Sequence, residues 1–238
     1  MSSLCERFES FIKTLDGFEN IDALLQGFDL RGKKRADYLV RNRAFIIEQK
    51  LLEKNPVERP QKFVERLGRK RGFVFMGTLS TDYIFKRQPD PEVLQQRMIL
   101  DLARVIDDDV AYADKQTSDT RNLFNVPDAI GILAILNESA GLLRPDVIDY
   151  ALRVSFQKKT ESGAPRYPAN DGVIVISEAS AIAVPGFQQA FPIQLYVSPQ
   201  RRRAAEVEQF MEILMKQWAA FNSLPLVTMQ IGSSLKRP

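Results

Sequence analysis

The stretch Asp37-Tyr-Leu-Val-Arg-Asn-Arg-Ala-Phe-Ile-Ile-Glu-Gln-Lys50 constrains this chain more than any other, because it reads as two short strands carrying charge among apolar residues. Leu39, Val40, Phe45, Ile46 and Ile47 are the branched and aromatic residues that strands favour, and Arg41-Asn42-Arg43 interrupts them as a turn does. With Asn42 and Arg43 as a two-residue loop, Arg41 pairs with Ala44 and Asp37 lies directly opposite Glu48. Side chains alternate along a strand, so Lys50 shares the face of Glu48 while Ile47 and Gln49 point the other way. Two opposed carboxylates stand about 5 Å apart at Cβ and destabilise a hairpin unless a cation lies between them. Lys50 and Arg35 can supply that charge themselves, which gives an ordinary solvated strand pair. A hard divalent ion such as Mg²⁺ can supply it instead, taking carboxylate oxygens, waters and substrate phosphate oxygens. A lysine beside such an ion stabilises negative charge or assists the attacking water.

The chain contains no histidine, and whole mechanisms disappear with it. Ser-His-Asp and Cys-His nucleophile pairs need an imidazole base. Zinc proteases of the His-Glu-x-x-His type and Cys/His zinc fingers are excluded on the same ground. Cys5 is the only cysteine, so neither an intrachain disulfide nor a thiolate cage is available. Hydrolysis by such a chain has to run on carboxylates, lysine and a hard metal.

Asp37 followed by Glu48-Gln49-Lys50 resembles the metal-binding signature of the PD-(D/E)XK nuclease superfamily, with Ala36 standing where the name-giving proline would be. The resemblance implies a restriction-endonuclease-like α/β core, a mixed central sheet flanked by helices. It implies that Asp37 and Glu48 hold Mg²⁺ or Mn²⁺ and that Lys50 serves the hydrolytic water. A second segment extends the likeness: Lys115-Gln116 and Thr120 on a helix, followed by the apolar run Ala129 to Asn137. Gln116 and Thr120 are four positions apart and share a helix face; by resemblance, Lys115 or Gln116 points toward the metal or the phosphate. Glu19, with Glu6 and Glu9 as alternatives, is the expected extra acid from an N-terminal helix. The likeness covers roughly residues 30 to 137. The function it implies is metal-dependent hydrolysis of nucleic-acid phosphodiesters; the alternative is a nuclease-like scaffold that only binds or assembles.

Charge clusters bear on the partner. The net charge of +3 permits nucleic-acid binding without demanding it. Lys33, Lys34 and Arg35 precede the acidic pair, Lys115 sits beside Gln116, and Arg201, Arg202 and Arg203 follow Ser198-Pro199, which reads as a helix cap and first turn. Three arginines at a helix start oppose the macrodipole, a conflict that bound phosphate relieves or that long side chains evade by splaying into water. Asp107-Asp108-Asp109 points in diverging directions on a helix and is expected as a solvated turn or helix break. The resemblance favours DNA over RNA as the polymer; oligomeric state is left open by the sequence, a homodimer being one form that would cut two strands.

The pattern alternates. Helices are expected over Leu4 to Leu15, Ile21 to Leu25, Phe63 to Arg71, Pro91 to Phe124 with a break near Asp107, Pro145 to Gln157, and Pro199 to Asn222. Beside the hairpin, strands are expected over Gly72 to Leu79, Ala129 to Asn137, Gly172 to Ser177 and Phe191 to Val197. We expect a nuclease-like core over residues 1–157 and an α/β extension over 158–238, packed on the same domain. No apolar run approaches the roughly 20 residues that cross a bilayer, and the first residues lack signal-peptide order, so the expectation is a cytoplasmic protein with no membrane partner.

Overall fold

The computed structural model describes residues 2–27, 34–52, 58–73, 81–184, 187–198 and 203–227. The first helix, α1 (Leu4–Ile12), begins at a capping box: Ser3 accepts from the Glu6 amide, and the Glu6 carboxylate accepts from the Ser3 amide at 2.9 Å. Its apolar stripe of Leu4, Phe8, Phe11 and Ile12 is buried. A short strand β1 (Glu19–Asn20) leads into α2 (Ile21–Leu24), whose first turn is capped by Asn20.

The hairpin of β2 (Tyr38–Val40) and β3 (Phe45–Leu51) has the register read from the sequence, with Tyr38 opposite Ile47, Leu39 opposite Ile46 and Val40 opposite Phe45. Arg41, Asn42 and Arg43 all take positive φ, 51°, 53° and 66°, so the strands end at Val40 and Phe45 and residues 41–44 form the connection instead of the expected two-residue loop, with the Ala44 amide donating to Arg41 O at 3.1 Å. The loop is braced from outside, because the Arg41 amide donates to Asp16 O at 2.8 Å.

The helices α3 (Glu58–Arg71) and α4 (Thr81–Lys86) pack on the first half of the long helix α5 (Pro91–Phe124) through Val64, Leu67, Ile84, Phe85 and Leu94. Next come β4 (Ile130–Asn137), α6 (Pro145–Gln157), β5 (Gly172–Ser177), β6 (Ile182–Val184), β7 (Phe187–Ala190), β8 (Ile193–Val197) and α7 (Ala204–Phe221). Six strands form one mixed sheet in the order β1-β2-β3-β4-β5-β8, and β6 pairs with β7 separately. β3, β4 and β5 run parallel, and the other neighbours are antiparallel. Parallel neighbours need long crossovers; α5 supplies the first and α6 the second.

Both crossover helices cover one face of the sheet, with Ile106, Val110 and Ala113 of α5 and Ile148 and Leu152 of α6 packed on Leu133, Ile135, Val173 and Val175. The opposite face is covered by α1 and α7, whose Phe8, Phe11, Phe210, Leu214 and Trp218 pack on Tyr38, Phe45, Ile47 and Ile132. Every residue of β4 is buried, as befits a strand sandwiched between two helical layers. Among the described residues no helix is long and apolar enough to cross a membrane.

Several expectations are corrected. α5 runs unbroken through Asp107-Asp108-Asp109, because Asp107 accepts from Ser155 at 2.8 Å, Lys158 at 2.5 Å and Tyr167 at 3.1 Å. α7 starts at Ala204 with Arg203 at its N-cap, since Ser198 still belongs to the sheet edge and its amide donates to Asp171 O at 3.0 Å. Of the strand expected over Gly72 to Leu79, residues 74–79 lie outside the described residues; Gly72 takes φ 73° after α3 and Phe73 is not extended into a strand. Within residues 158–238, β5 and β8 belong to the central sheet. The elements β1, α4 and the β6–β7 pair were not foreseen.

One contact fixes how closely α5 approaches the sheet. A Cβ on Gly131 of β4 would stand 2.2 Å from Ala169 O and 2.6 Å from Thr117 Cγ2 of α5. Gly131→Ala must therefore push the helix or the 169–171 segment outward, at a cost of about 1–3 kcal/mol. The expected result is a melting temperature several degrees lower, at roughly 2–4 °C per kcal/mol for a chain of this size. A melting temperature unchanged within a degree would show that α5 is not held this close.

Candidate active site

Alternation along β2 and β3 puts Tyr38, Val40, Phe45 and Ile47 on the α1/α7 face, which leaves Asp37, Glu48 and Lys50 on the face covered by α5. The Glu48 side chain is 1% exposed. Its Oε1 is paired with the Lys50 ammonium, and its Oε2 is buried with no hydrogen-bond partner among the described residues. The Asp37 carboxylate accepts from the Gln49 amide at 2.7 Å, so it takes a ladder donor of β3 and is held across from Glu48.

α5 completes the site from above. Lys50 Nζ donates to Gln116 Oε1 at 3.0 Å, and Gln116 Nε2 donates to Arg35 O at 2.8 Å. One turn further on, Thr120 Oγ1 accepts from the Ala36 amide at 2.9 Å, and Asp119 Oδ2 accepts from the Lys34 amide at 3.2 Å. The Gln116 and Thr120 pair, on one helix face, thus grips the peptide groups that lead into Asp37. This is a positioning device: the helix sets where the first carboxylate enters the sheet and where the ammonium ends.

The electrostatics follow from burial. Desolvation, with the Asp37 charge second, pushes the Glu48 carboxyl up to about 8, although Lys50 and Gln116 pull it down. Asp37 is also raised, first by burial, and the Gln49 amide and Lys50 oppose the shift. A third carboxyl, Asp109, lies on α5 two turns before Gln116; burial pushes it up to about 6 against the pull of the Lys50 charge. Asp37, Lys50 and Gln116 open into a cleft of about 410 Å³ whose other walls are Asp22, Lys34, Arg35 and Tyr112.

These residues fit a hard divalent cation. Two carboxylates face each other on one side of a sheet, one of their oxygens is buried without a donor, and the cleft beside them is open to water. Among the described residues no three Cys, Asp or Glu groups converge on one point. An ion at this place would have two protein carboxylates as ligands and would need waters or phosphate oxygens at its remaining positions.

Other expected residues fall elsewhere. Glu19 is held in the fork of Arg43 at 2.9 and 2.7 Å, which keeps its carboxyl below the usual range and turns it away from the cleft. Glu6 caps α1, and Glu9 accepts from Cys5 on the opposite face of the sheet. The acid from the N-terminal region that reaches the cleft is Asp22, ion-paired with Arg35. Lys115 is exposed and does not line the cleft. Arg203 is engaged by Glu206 and by Asp128 O at 2.6 Å; Lys33, Arg201 and Arg202 lie outside the described residues. Sequence reasoning missed Asp22 and Tyr112 at the cleft, although the spacing of Tyr112 and Gln116 at four residues puts them on one helix face; Asp109 was expected in a solvated turn and instead lies within α5. Comparisons with protein-family models, with curated proteins and with solved structures found no match.

The raised carboxyls give the protein a pH signature. An unfolded chain ionises Glu48 near the ordinary 4.5, whereas the folded chain keeps the proton up to about 8. The folded state binds more protons between those values, so stability falls as pH rises through that window; Asp37 and Asp109 shift in the same direction. In EDTA, the urea midpoint is expected to be higher at pH 5 than at pH 8, with a clearly flatter dependence in Glu48→Gln. A midpoint that climbs toward pH 8, or a slope untouched by Glu48→Gln, would contradict the burial of this carboxyl.

Proposed function

We propose that this chain is a divalent-metal-dependent nuclease with a restriction-endonuclease-like core, hydrolysing phosphodiester bonds of nucleic acid, DNA in the first instance. The observation that carries the reading is the buried, donorless oxygen of Glu48 across from Asp37, beside an ammonium that opens into a cleft. Supporting it, the acidic hairpin leads through a long helix into a parallel central strand, and that helix supplies the glutamine expected from the resemblance.

In this reading Asp37 and Glu48 hold Mg²⁺ or Mn²⁺. When bound, the ion supplies positive charge that acidifies water and offsets charge building on the phosphate. The burial of Glu48 keeps its carboxylate poorly hydrated, which strengthens its attraction for a cation. Lys50, held between Glu48 and Gln116, presents an ammonium to a non-bridging phosphate oxygen and orients the attacking water. The water oxygen bonds to phosphorus, its proton passing to solvent in the open cleft, as the bond to the leaving oxygen breaks and that oxygen takes a proton from solvent; no covalent bond to the protein is needed. Gln116 acts through Lys50 and through the Arg35 carbonyl, so it is a positioning residue. Lys34 and Arg35 lend positive charge to the phosphate backbone at the cleft mouth.

A second reading has one observation in its favour: the Glu48–Lys50 pair neutralises the acid without any ion. A scaffold of that kind binds nucleic acid and leaves it intact. Incubation with supercoiled plasmid, single-stranded DNA and RNA in Mg²⁺, Mn²⁺ or EDTA separates the two. The nuclease reading predicts cleavage that EDTA and Asp37→Ala abolish and that Lys50→Ala slows by about 10²–10³-fold, the range for removing one positioned donor to developing negative charge. Retention of every polymer by salt-sensitive binding, with no cleavage in either ion, would favour the scaffold; undiminished cleavage by Asp37→Ala would remove the site assignment.

A further inference from the structure

The cleft carries a feature that phosphodiester chemistry alone does not require. Tyr112, on α5, is 54% exposed, although it sits one residue from the buried Ala113 and one turn before Gln116. Lys34 Nζ stands 4.1 Å from the centroid of its ring. The Lys34 backbone is itself tethered, its amide donating to Asp119 on the same helix. Both side chains line the cleft that holds Asp37 and Lys50. An aromatic face and an ammonium are therefore presented together, about 6 Å along the helix axis from the glutamine that positions Lys50.

We infer that Tyr112 and Lys34 form a nucleotide-holding rim, in which an unpaired base stacks on the Tyr112 ring while Lys34 takes an adjoining phosphate, so that the preferred substrate is single-stranded nucleic acid. The inference rests on the nuclease reading for its choice of ligand and deepens it by naming the strandedness. The physical reason is access. Bases within a duplex have both faces covered by their neighbours, whereas an unpaired base offers its π-face to any exposed ring, whatever its identity. The cleft volume of about 410 Å³ lies at the lower end of small-ligand pockets, on the order of 300–1,000 Å³. That volume admits a nucleotide unit. Lys34 Nζ already lies over one face of the ring, so the base stacks on the other face, and the lysine's flexible stem carries its charge to the adjoining phosphate.

Fluorescence anisotropy in EDTA, where no hydrolysis occurs, tests this with a labelled single-stranded oligonucleotide and a blunt duplex of equal length. The full chain is expected to bind the single strand more tightly than the duplex. Tyr112→Ala is expected to weaken single-strand binding about tenfold and leave duplex binding unchanged, while Tyr112→Phe keeps wild-type affinity within about twofold; stacking on an aromatic side chain has an effect of this order. Lys34→Gln is expected to reduce the salt dependence of single-strand binding by about 0.7 in the log–log slope, one phosphate contact. A duplex preference, or single-strand binding indifferent to Tyr112→Ala, overturns the inference. Cleavage in Mn²⁺ that depends on Asp37 but not on Tyr112 overturns it while the nuclease reading stands. Tyr112-dependent single-strand binding without cleavage supports it while the nuclease reading fails.

Discussion

Two carboxyls on neighbouring strands, Asp37 and Glu48, share one face of a sheet where water barely reaches the second, and the rest of the site depends on how that charge is balanced. Burial and mutual repulsion both favour protonation, which is why Glu48 is pushed up to about 8. Lys50 offers partial relief through one carboxylate oxygen and leaves the other without a donor. Such an arrangement is costly to a folded protein unless something else compensates. A divalent ion at the pair would exchange the repulsion for coordination, and the strain would then serve binding.

The device that holds this pair is a single helix. α5 crosses from β3 to β4, packs on the sheet through Ile106, Val110 and Ala113, and approaches so closely at Thr117 that Gly131 has no room for a side chain. From that fixed position Gln116, Asp119 and Thr120 bond to the segment 34–36, while Tyr112 lines the cleft from the preceding turn. Core packing and site geometry are thus the same set of contacts seen from two sides. A site built on regular elements in this way is held more precisely than one carried on loops.

The hairpin was legible because a short turn and strict alternation leave one register, and Asp37 opposite Glu48 follows from it. The ends of α6 and β5 were legible for equally local reasons: Pro145 opens a helix and Gly172 begins a strand. What failed was set by partners distant in sequence. Three successive aspartates suggested a break in α5, yet Asp107 is stabilised within the helix by Ser155, Lys158 and Tyr167. Glu19 is a reasonable acid from the N-terminal region until Arg43 closes on it, and only the folded chain shows that Asp22 lines the cleft. Ser198-Pro199 has the form of a helix start, but Ser198 is bonded to Asp171 at the end of the sheet and the helix begins later. Tyr112 sits alone on a charged stretch of helix, so no aromatic cluster announced it.

The account stands on a cation shared by Asp37 and Glu48. An anomalous difference map from crystals soaked in Mn²⁺ at pH 8 tests this directly, since it locates the ion without reference to activity. The expected map has a peak between the two carboxylates, with an oxygen of each at coordination distance and the Glu48–Lys50 pair loosened. A map with no peak there, and the pair intact, would contradict the account.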